Sequence, residues 1–492
     1  METPQNPLQG LPAELSSPAP AAAAAEAGTP PATPRAARLA RAPRGTPEPF
    51  AAEIESLDLE GRGIARLEGK VAFIEGALPG ERVLWERHRS KARFDTGRVV
   101  QVLRSSSLRA TPRCPHFGLE LGSCGGCSMQ HLEPRAQVSI KQRMLEESLL
   151  RIGHVRPEMV LRPICGLPWN YRHRARLTVR YIERKGGVLV GFHEKASSYV
   201  CDMHSCSVLA QPVAGMLMAL RELVGALSIR DRLPQIEVAI AQGTTVLVLR
   251  ILEALSDEDR GVLRRFQQEH GVSLWLQTSG PDSAEPLDPE HADHLALPLP
   301  EFGLELPFRP TDFTQVNHRT NEILVRRALA LLAPEPDELV ADFFCGMGNF
   351  TLPLATRARR VVGLEGSAPL LARAGAAARA AGLADKTRFE TRNLFEWAPD
   401  DWSRLVEKMG GRIDRILIDP PRDGALALVE SLATAANPPR RIVYVSCNPA
   451  TLARDCGWLV NQGSWRLKAA GIVNMFPHTS HVESIAVLEP VT

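Results

Sequence analysis

From Leu339 to Leu488 short β-branched runs alternate with helical patterns, and that alternation folds most simply as a doubly wound sheet. Leu339-Val-Ala-Asp-Phe-Phe reads as a buried strand, Cys345-Gly-Met-Gly-Asn-Phe350 as a turn and Thr351–Arg359 as a helix. A second strand, Val361-Val-Gly-Leu, ends in Glu365, and Arg388-Phe-Glu-Thr leads to Asn393. Arg415-Ile-Leu-Ile runs into Asp419-Pro-Pro-Arg422, and Arg441-Ile-Val-Tyr-Val into Ser446-Cys-Asn-Pro449; Trp465–Ile472 and Val482–Leu488 close the sheet. Pro449 stops its strand and biases Asn448 toward an extended conformation, which leaves Cys447 at the carboxyl edge. Ligands of open α/β sheets bind outside that edge. A Gly-rich turn there lets a cofactor approach the backbone, and a strand-end acid such as Glu365 can accept hydrogen bonds from ribose hydroxyls. Gly346-Met-Gly348-Asn-Phe350 lacks the fuller Gly-x-Gly-x-x-Gly pattern of a dinucleotide fold.

The chain has 492 residues, enough for about three domains. Its net charge is only +2, so a nucleic-acid surface has to be local. No apolar run approaches the roughly 18 residues of a membrane span, and no export signal is evident at the N-terminus. Nine cysteines, three of them within Cys114–Cys127, favour metal binding over disulfides in such a chain. The expectation is a cytoplasmic monomer that does not touch a membrane. Residues 1–47 are Pro/Ala-rich without periodicity and read as a disordered tail.

Residues 48–105 carry short strands with Gly punctuation: Glu53-Ile-Glu-Ser-Leu, Gly61-Arg-Gly-Ile-Ala-Arg, Lys70-Val-Ala-Phe-Ile-Glu-Gly and Glu81-Arg-Val-Leu-Trp. They predict a small β-barrel, and Arg87–Arg113 adds eight Lys/Arg against the single acid Asp95, a footprint for a phosphate backbone. Through Gly-Ile-Ala-Arg and Gly-Ala-Leu-Pro-Gly-Glu the segment resembles the TRAM domain, an RNA-binding barrel. Residues 106–308 form a second region. Cys114, Cys124 and Cys127, the last two in a Cys-Gly-Gly-Cys turn, can face one metal centre; spacing leaves zinc and iron–sulfur open, with Cys165, Cys201 or Cys206 as fourth ligand. Arg135–Ile152 predicts a helix with the stripe Val138, Leu145, Leu149 and Ile152. Tyr171-Arg-His-Arg-Ala-Arg, read as a strand, would put Arg172, Arg174 and Arg176 on one phosphate-facing side. Further runs at Val188–His193, Ile236–Ile240, Thr245–Ile251 and Ser273–Gln277 predict an α+β middle domain with an antiparallel sheet.

Together, Asp342-Phe-Phe-Cys-Gly-Met-Gly-Asn-Phe, Asp419-Pro-Pro-Arg, Ser446-Cys-Asn-Pro and Phe476-Pro-His-Thr-Ser-His-Val-Glu483 resemble the RNA uracil-C5 methyltransferases that use S-adenosylmethionine. The cysteine motif and the barrel bring the likeness closest to the group acting on 23S ribosomal RNA, over roughly Phe50 to Thr492. The resemblance implies a Rossmann-like class I methyltransferase domain over 309–492, an N-terminal TRAM-like barrel and an α+β middle domain carrying an iron–sulfur cluster. It implies Cys447 as nucleophile and Glu483 as the base that removes the C5 proton. Gln315, Phe344, Asn349, Glu365, Asn393 and Asp419 match positions lining the S-adenosylmethionine pocket. Cys114, Cys124, Cys127 and Cys206 match the ligands of a [4Fe-4S] cluster, with zinc as the alternative. The chain departs from the family in the long Cys114–Cys124 gap and in the additional Cys201, five residues before Cys206.

The residue types suit the reaction. C5 of uracil is a poor nucleophile until a thiolate adds at C6 and makes C5 enolate-like; methylation, loss of the C5 proton and elimination then follow. The sequence does not locate what activates the Cys447 thiol, although His478 and His481 lie near Glu483. Adenine-N6 methylation would require an aromatic where Arg422 stands, and cytosine-C5 methylation a Pro-Cys nucleophile. A non-catalytic RNA-assembly role would leave Cys447, Glu483 and the Gly346/Gly348 turn without purpose.

Overall fold

Each strand–helix pair after residue 339 adds a parallel strand to one sheet. In this computed structural model, which describes residues 49–289 and 295–491, the strands are β1 (Leu339–Phe343), β2 (Arg360–Glu365), β3 (Thr387–Thr391), β4 (Arg415–Ile418), β5 (Arg441–Ser446), β6 (Trp465–Val473) and β7 (Glu483–Pro490). Their order is 3-2-1-4-5-7-6, with β5–β7 and β7–β6 antiparallel and the rest parallel. The central strands are mostly apolar and buried between their ends because helices cover both faces, with Asp342 the buried exception in β1. The reading of residues 1–47 as a disordered tail lies outside the described residues.

Pro134–Arg151 is the expected helix, and it packs against the Pro449–Gln462 helix and β6. Its buried face is wider than the apolar stripe, which contributes Leu145 and Leu149 to it and Val138 at its margin. Gln137, Lys141 and Ser148 are buried beside Met144, Leu145 and Leu149, whereas Ile152 is 47% exposed. Polar atoms of the cysteine loop and of the C-terminal half satisfy the buried amide and amine, so hydropathy alone missed the polar part of the face.

The barrel region forms a six-stranded sheet, Phe50–Glu53 to Phe94–Arg104, around Ala52, Ala65, Ile74, Val83 and Trp85. Glu53–Leu57 is not one strand: Glu53 ends the first and Ser56–Leu57 forms another. The middle sheet is also not wholly antiparallel, because Thr244–Arg250 pairs in parallel with Ser273–Gln277. The helix Asp257–His270 between them makes the crossover that a parallel pair requires. Side chains of this sheet, Ala239, Val246 and Val248, share a continuous apolar core with Leu324, Leu329 and Val443 of the C-terminal half. From Pro49 onward the described residues form a single compact unit.

Candidate active site

Every strand of the parallel sheet hands a polar residue to the same rim. β5 ends at Ser446, so Cys447 is the first residue past the sheet, half-buried. Asn448 is extended (φ −135°, ψ 103°), and its Oδ1 accepts a hydrogen bond from Ala450 N at 3.0 Å, capping the helix that Pro449 opens. After β1 the backbone turns through three left-handed residues, Phe344 (φ 63°), Gly346 (φ 54°) and Gly348 (φ 91°). Glycine meets this demand at two of them; at Phe344 the strain is borne by a bulky side chain at the site itself. Glu365 ends β2, accepting hydrogen bonds from Gly346 N (3.2 Å) and Ser367 N (3.0 Å), which ties the turn to the second strand. Asn349 exchanges two hydrogen bonds with Asn321, at 2.8 and 3.0 Å. Asn393 Oδ1 accepts from Phe395 N at 3.1 Å. Glu483 opens β7 and is 2% exposed.

These elements enclose one cleft of about 930 Å³. Cys447, Glu483, Gln315, Phe344, Asn349, Glu365, Asn393 and Asp419 all line it, although they come from seven separate stretches of sequence. Arg172, Phe313, Phe395, Arg422, Phe476 and His481 are among the other residues of its wall. Phe313 is 74% exposed at this wall, an aromatic surface open to a base. Phe395, tilted against Phe344 with ring centroids 5.7 Å apart, had no signal in the sequence beyond its place two residues after Asn393.

The arginine face expected at Tyr171–Arg176 is dismantled. The Arg174 guanidinium turns inward and donates to the Pro310 carbonyl, and Arg176 pairs with Glu237 at 3.0 Å, leaving only Arg172 at the cleft. The acceptors come from the loop at Pro310 and from Glu237 on the paired strand, and the Arg176 side chain stays 69% exposed.

The free cleft holds its protons tightly. Burial pushes the Cys447 thiol up to about 11, aided by Glu483 and Asp419, while the Arg422 guanidinium pulls it down. Burial lifts Asp419 to about 7, and burial with Asp419 nearby lifts Glu483 well above the carboxylate range. Two carboxyls and a thiol in one low-dielectric rim cannot all ionise, so a bound cation favours their charged forms. Neither histidine near Glu483 supplies that charge: burial lowers His481, and it pushes His478, which does not line the cleft, down to about 4.

The four cysteines expected to bind a cluster lie near enough for their thiols to influence one another. Burial raises Cys127 to about 12, with the thiols of Cys206, Cys124 and Cys114 adding to it, and Cys206 to about 11, with those of Cys124 and Cys114 adding to it. Cys124 also contacts Cys201, whose thiol donates to Gly122 O at 3.0 Å. Among the described residues, no three His, Cys, Asp or Glu side chains gather closely enough for a metal ion.

The family model of tRNA (uracil-5-)-methyltransferases matches residues 169–491. The chain belongs to that family. A TRAM domain model matches residues 50–84. The chain is 58% identical over 439 residues to the 23S rRNA (uracil(1939)-C(5))-methyltransferase RlmD of Bordetella avium, covering 89% of this chain and 90% of the relative. It is 54% identical over 470 residues to the same-named protein of Cupriavidus pinatubonensis, covering 93% and 99%. The crystal structure of Pyrococcus abyssi tRNA (uracil-54, C5)-methyltransferase with S-adenosyl-L-homocysteine superposes with a TM-score of 0.66 at 23% identity, over 89% of this chain and 99% of that one. The uracil methyltransferase fold, with a TRAM domain at its N-terminal side, is therefore that of this chain. As a family member it is an S-adenosylmethionine-dependent enzyme. No described helix is long and apolar enough to cross a membrane.

Proposed function

We propose that this enzyme transfers a methyl group from S-adenosylmethionine to C5 of a uridine in 23S ribosomal RNA. The carrying observation is the convergence of Cys447, Asp419 and Glu483 on one cleft with the Phe344–Phe350 turn. The names of the relatives above 50% identity supply the RNA.

Gln315, Phe344, Asn349, Glu365 and Asn393 would hold S-adenosylmethionine: the turn offers close backbone approach, Glu365 an acceptor for ribose hydroxyls, and the Phe344–Phe395 pair an apolar face. When bound, the cofactor supplies an electrophilic methyl on a cationic sulfonium. Cys447 adds to C6 of the uracil as a thiolate, with Arg422 stabilising its charge, and thereby activates C5. Glu483 removes the C5 proton, and elimination returns the thiol. Asp419 orients the base by hydrogen bonding. The half-enclosed wall requires the uracil to leave its helix or to be unpaired, and Phe313 or Phe476 can stack on it. The segment 48–105 contributes a basic barrel for RNA, 106–308 the cysteine-bearing middle region and 309–492 the methyl-transfer domain.

Cys114, Cys124, Cys127 and Cys206 suit a four-iron, four-sulfur cluster. One ion requires donors roughly 4 Å apart, whereas a cluster binds each thiolate through a different iron and spreads them wider. The cluster supplies order to the middle region; methyl transfer itself consumes no electron. Anaerobically purified protein is expected to contain iron and sulfide with broad visible absorption. Zinc in their place would remove this assignment.

The decisive experiment is a map of 5-methyluridine in ribosomal RNA from a deletion strain. Loss at one 23S position, restored by the gene but not by Cys447→Ala, is expected. Loss in transfer RNA alone would redirect the substrate.

A further inference from the structure

The segment between β6 and β7 lines the cleft with Phe476 and His481 and delivers Glu483 to its place. A clamp at the middle of this loop holds it. His478 there adopts a left-handed backbone (φ 66°), a conformation that a non-glycine residue keeps only when its surroundings over-determine it. His478 N donates to Gln137 Oε1 at 2.8 Å, and His478 O accepts from both Ser128 N (3.0 Å) and Met129 N (2.9 Å). Its ring stacks on Trp169 with centroids 3.8 Å apart. The residue is 1% exposed and stays behind the cleft wall.

The clamp is itself anchored. Gln137 Nε2 donates to Met129 O (3.0 Å) and Leu132 O (2.9 Å), so one side chain fixes the cysteine loop and the catalytic loop together. One turn along the same helix, the buried Lys141 donates to Asn474 Oδ1 and Phe476 O, both at 2.8 Å. Ser128 and Met129 directly follow Cys127 in the chain.

We propose that His478 is a positioning residue: locked left-handed by Gln137 and the Ser128–Met129 amides, it sets the places of Phe476, His481 and Glu483 and couples the cysteine loop to the methyl-transfer cleft. The backbone does most of this work: the ring, stacked behind the wall, adds one contact of its Nδ1 with Gln137 Nε2 at 3.2 Å, on an amide whose Nε2 also donates to Met129 O and Leu132 O. An Asn, which tolerates left-handed φ, can therefore replace it, and a β-branched residue cannot.

This inference rests on reading the cleft as the methyl-transfer site, so the test carries one readout that does not. Full-length His478→Asn, His478→Val and Gln137→Met are compared by hydrogen–deuterium exchange of residues 474–483 and by steady-state kinetics. His478→Asn is expected to keep kcat within about threefold. His478→Val and Gln137→Met are expected to raise exchange in 474–483 and lower kcat at least about tenfold, with KM for S-adenosylmethionine moved less than about threefold. If Gln137→Met fails to fold, the His478 pair decides. Exchange unchanged in His478→Val, or His478→Asn falling as far as His478→Val, would overturn the proposal. Exchange that rises while a uridine methylation assay is blank even for the parent would leave the clamp standing and sink the assigned reaction.

Discussion

At the residue scale, the chemistry of Cys447 is set by its burial and by three neighbours of opposing effect. Burial, Glu483 and Asp419 hold its thiol protonated, and Arg422 is the cation against them. Arg422 is in turn fixed through its carbonyl, which accepts from Asn448 Nδ2 (3.0 Å) and Thr451 Oγ1 (3.2 Å) at the start of the helix that follows Cys447. Arg422→Gln should raise the thiol pKa further, so alkylation of Cys447 by iodoacetamide at pH 8 should slow by about three- to tenfold. Peptide mass spectrometry reads this directly. Asp419 gives a second prediction. Its carboxyl titrates at 3.8 in the unfolded chain and at about 7 in the fold, so the folded state binds the extra proton between them. The stability it contributes is complete below the unfolded value and lost as pH rises through about 7. Asp419→Asn should flatten that part of the melting-temperature profile between pH 4 and 8. Cys447, Glu365 and Asn393 were legible in sequence because strand ends in a parallel sheet have one rim to go to. Arg422 as the thiol's cation was not, nor was the inward turn of Arg174, because each depends on partners distant in the chain.

At the element scale, the Pro134–Arg151 helix shows where hydropathy reading stops. Its existence and bounds follow from the unbroken periodic pattern, and Pro134 sits where a helix begins. The apolar part of its buried face, Leu145 and Leu149, follows too; the polar part does not, since Gln137 and Lys141 enter the interior only because loop carbonyls and a side-chain oxygen receive them there. Leu145, fully buried, and Ile152, half exposed, test the difference although both belong to the apolar stripe. Leu145→Ala should cost about 2–5 kcal/mol in urea unfolding, and Ile152→Ala less than about 0.5 kcal/mol. The middle sheet carries the same lesson. Its strands were readable from their β-branched runs, but the direction of Ser273–Gln277 is decided by the crossover helix before it.

At the scale of the whole molecule, sequence texture divides the chain more sharply than its packing does. Residue 309 separates a strand-rich region from an alternating one, yet Ala239, Val246 and Val248 before it pack in one core with Leu324, Leu329 and Val443 after it. Residues 309–492 expressed alone should therefore expose that face and aggregate or bind a hydrophobic dye, whereas 48–492 should melt cooperatively; calorimetry distinguishes the two. The shared core has a functional sense. The cleft that lies beside it is lined by Arg172 from before residue 309 together with Cys447 and Glu483 from after it, so a substrate base meets groups from both regions.

The central claim is that Cys447 and Glu483 act in sequence on one uracil. Glu483→Gln, incubated with S-adenosylmethionine and an RNA carrying the target uridine, tests it most directly. The predicted result is a protein–RNA species that survives denaturing electrophoresis, has the mass of enzyme plus methylated RNA, and vanishes in the Cys447→Ala/Glu483→Gln double variant. Release of 5-methyluridine at the parental rate by Glu483→Gln, or an adduct that persists without Cys447, would contradict it.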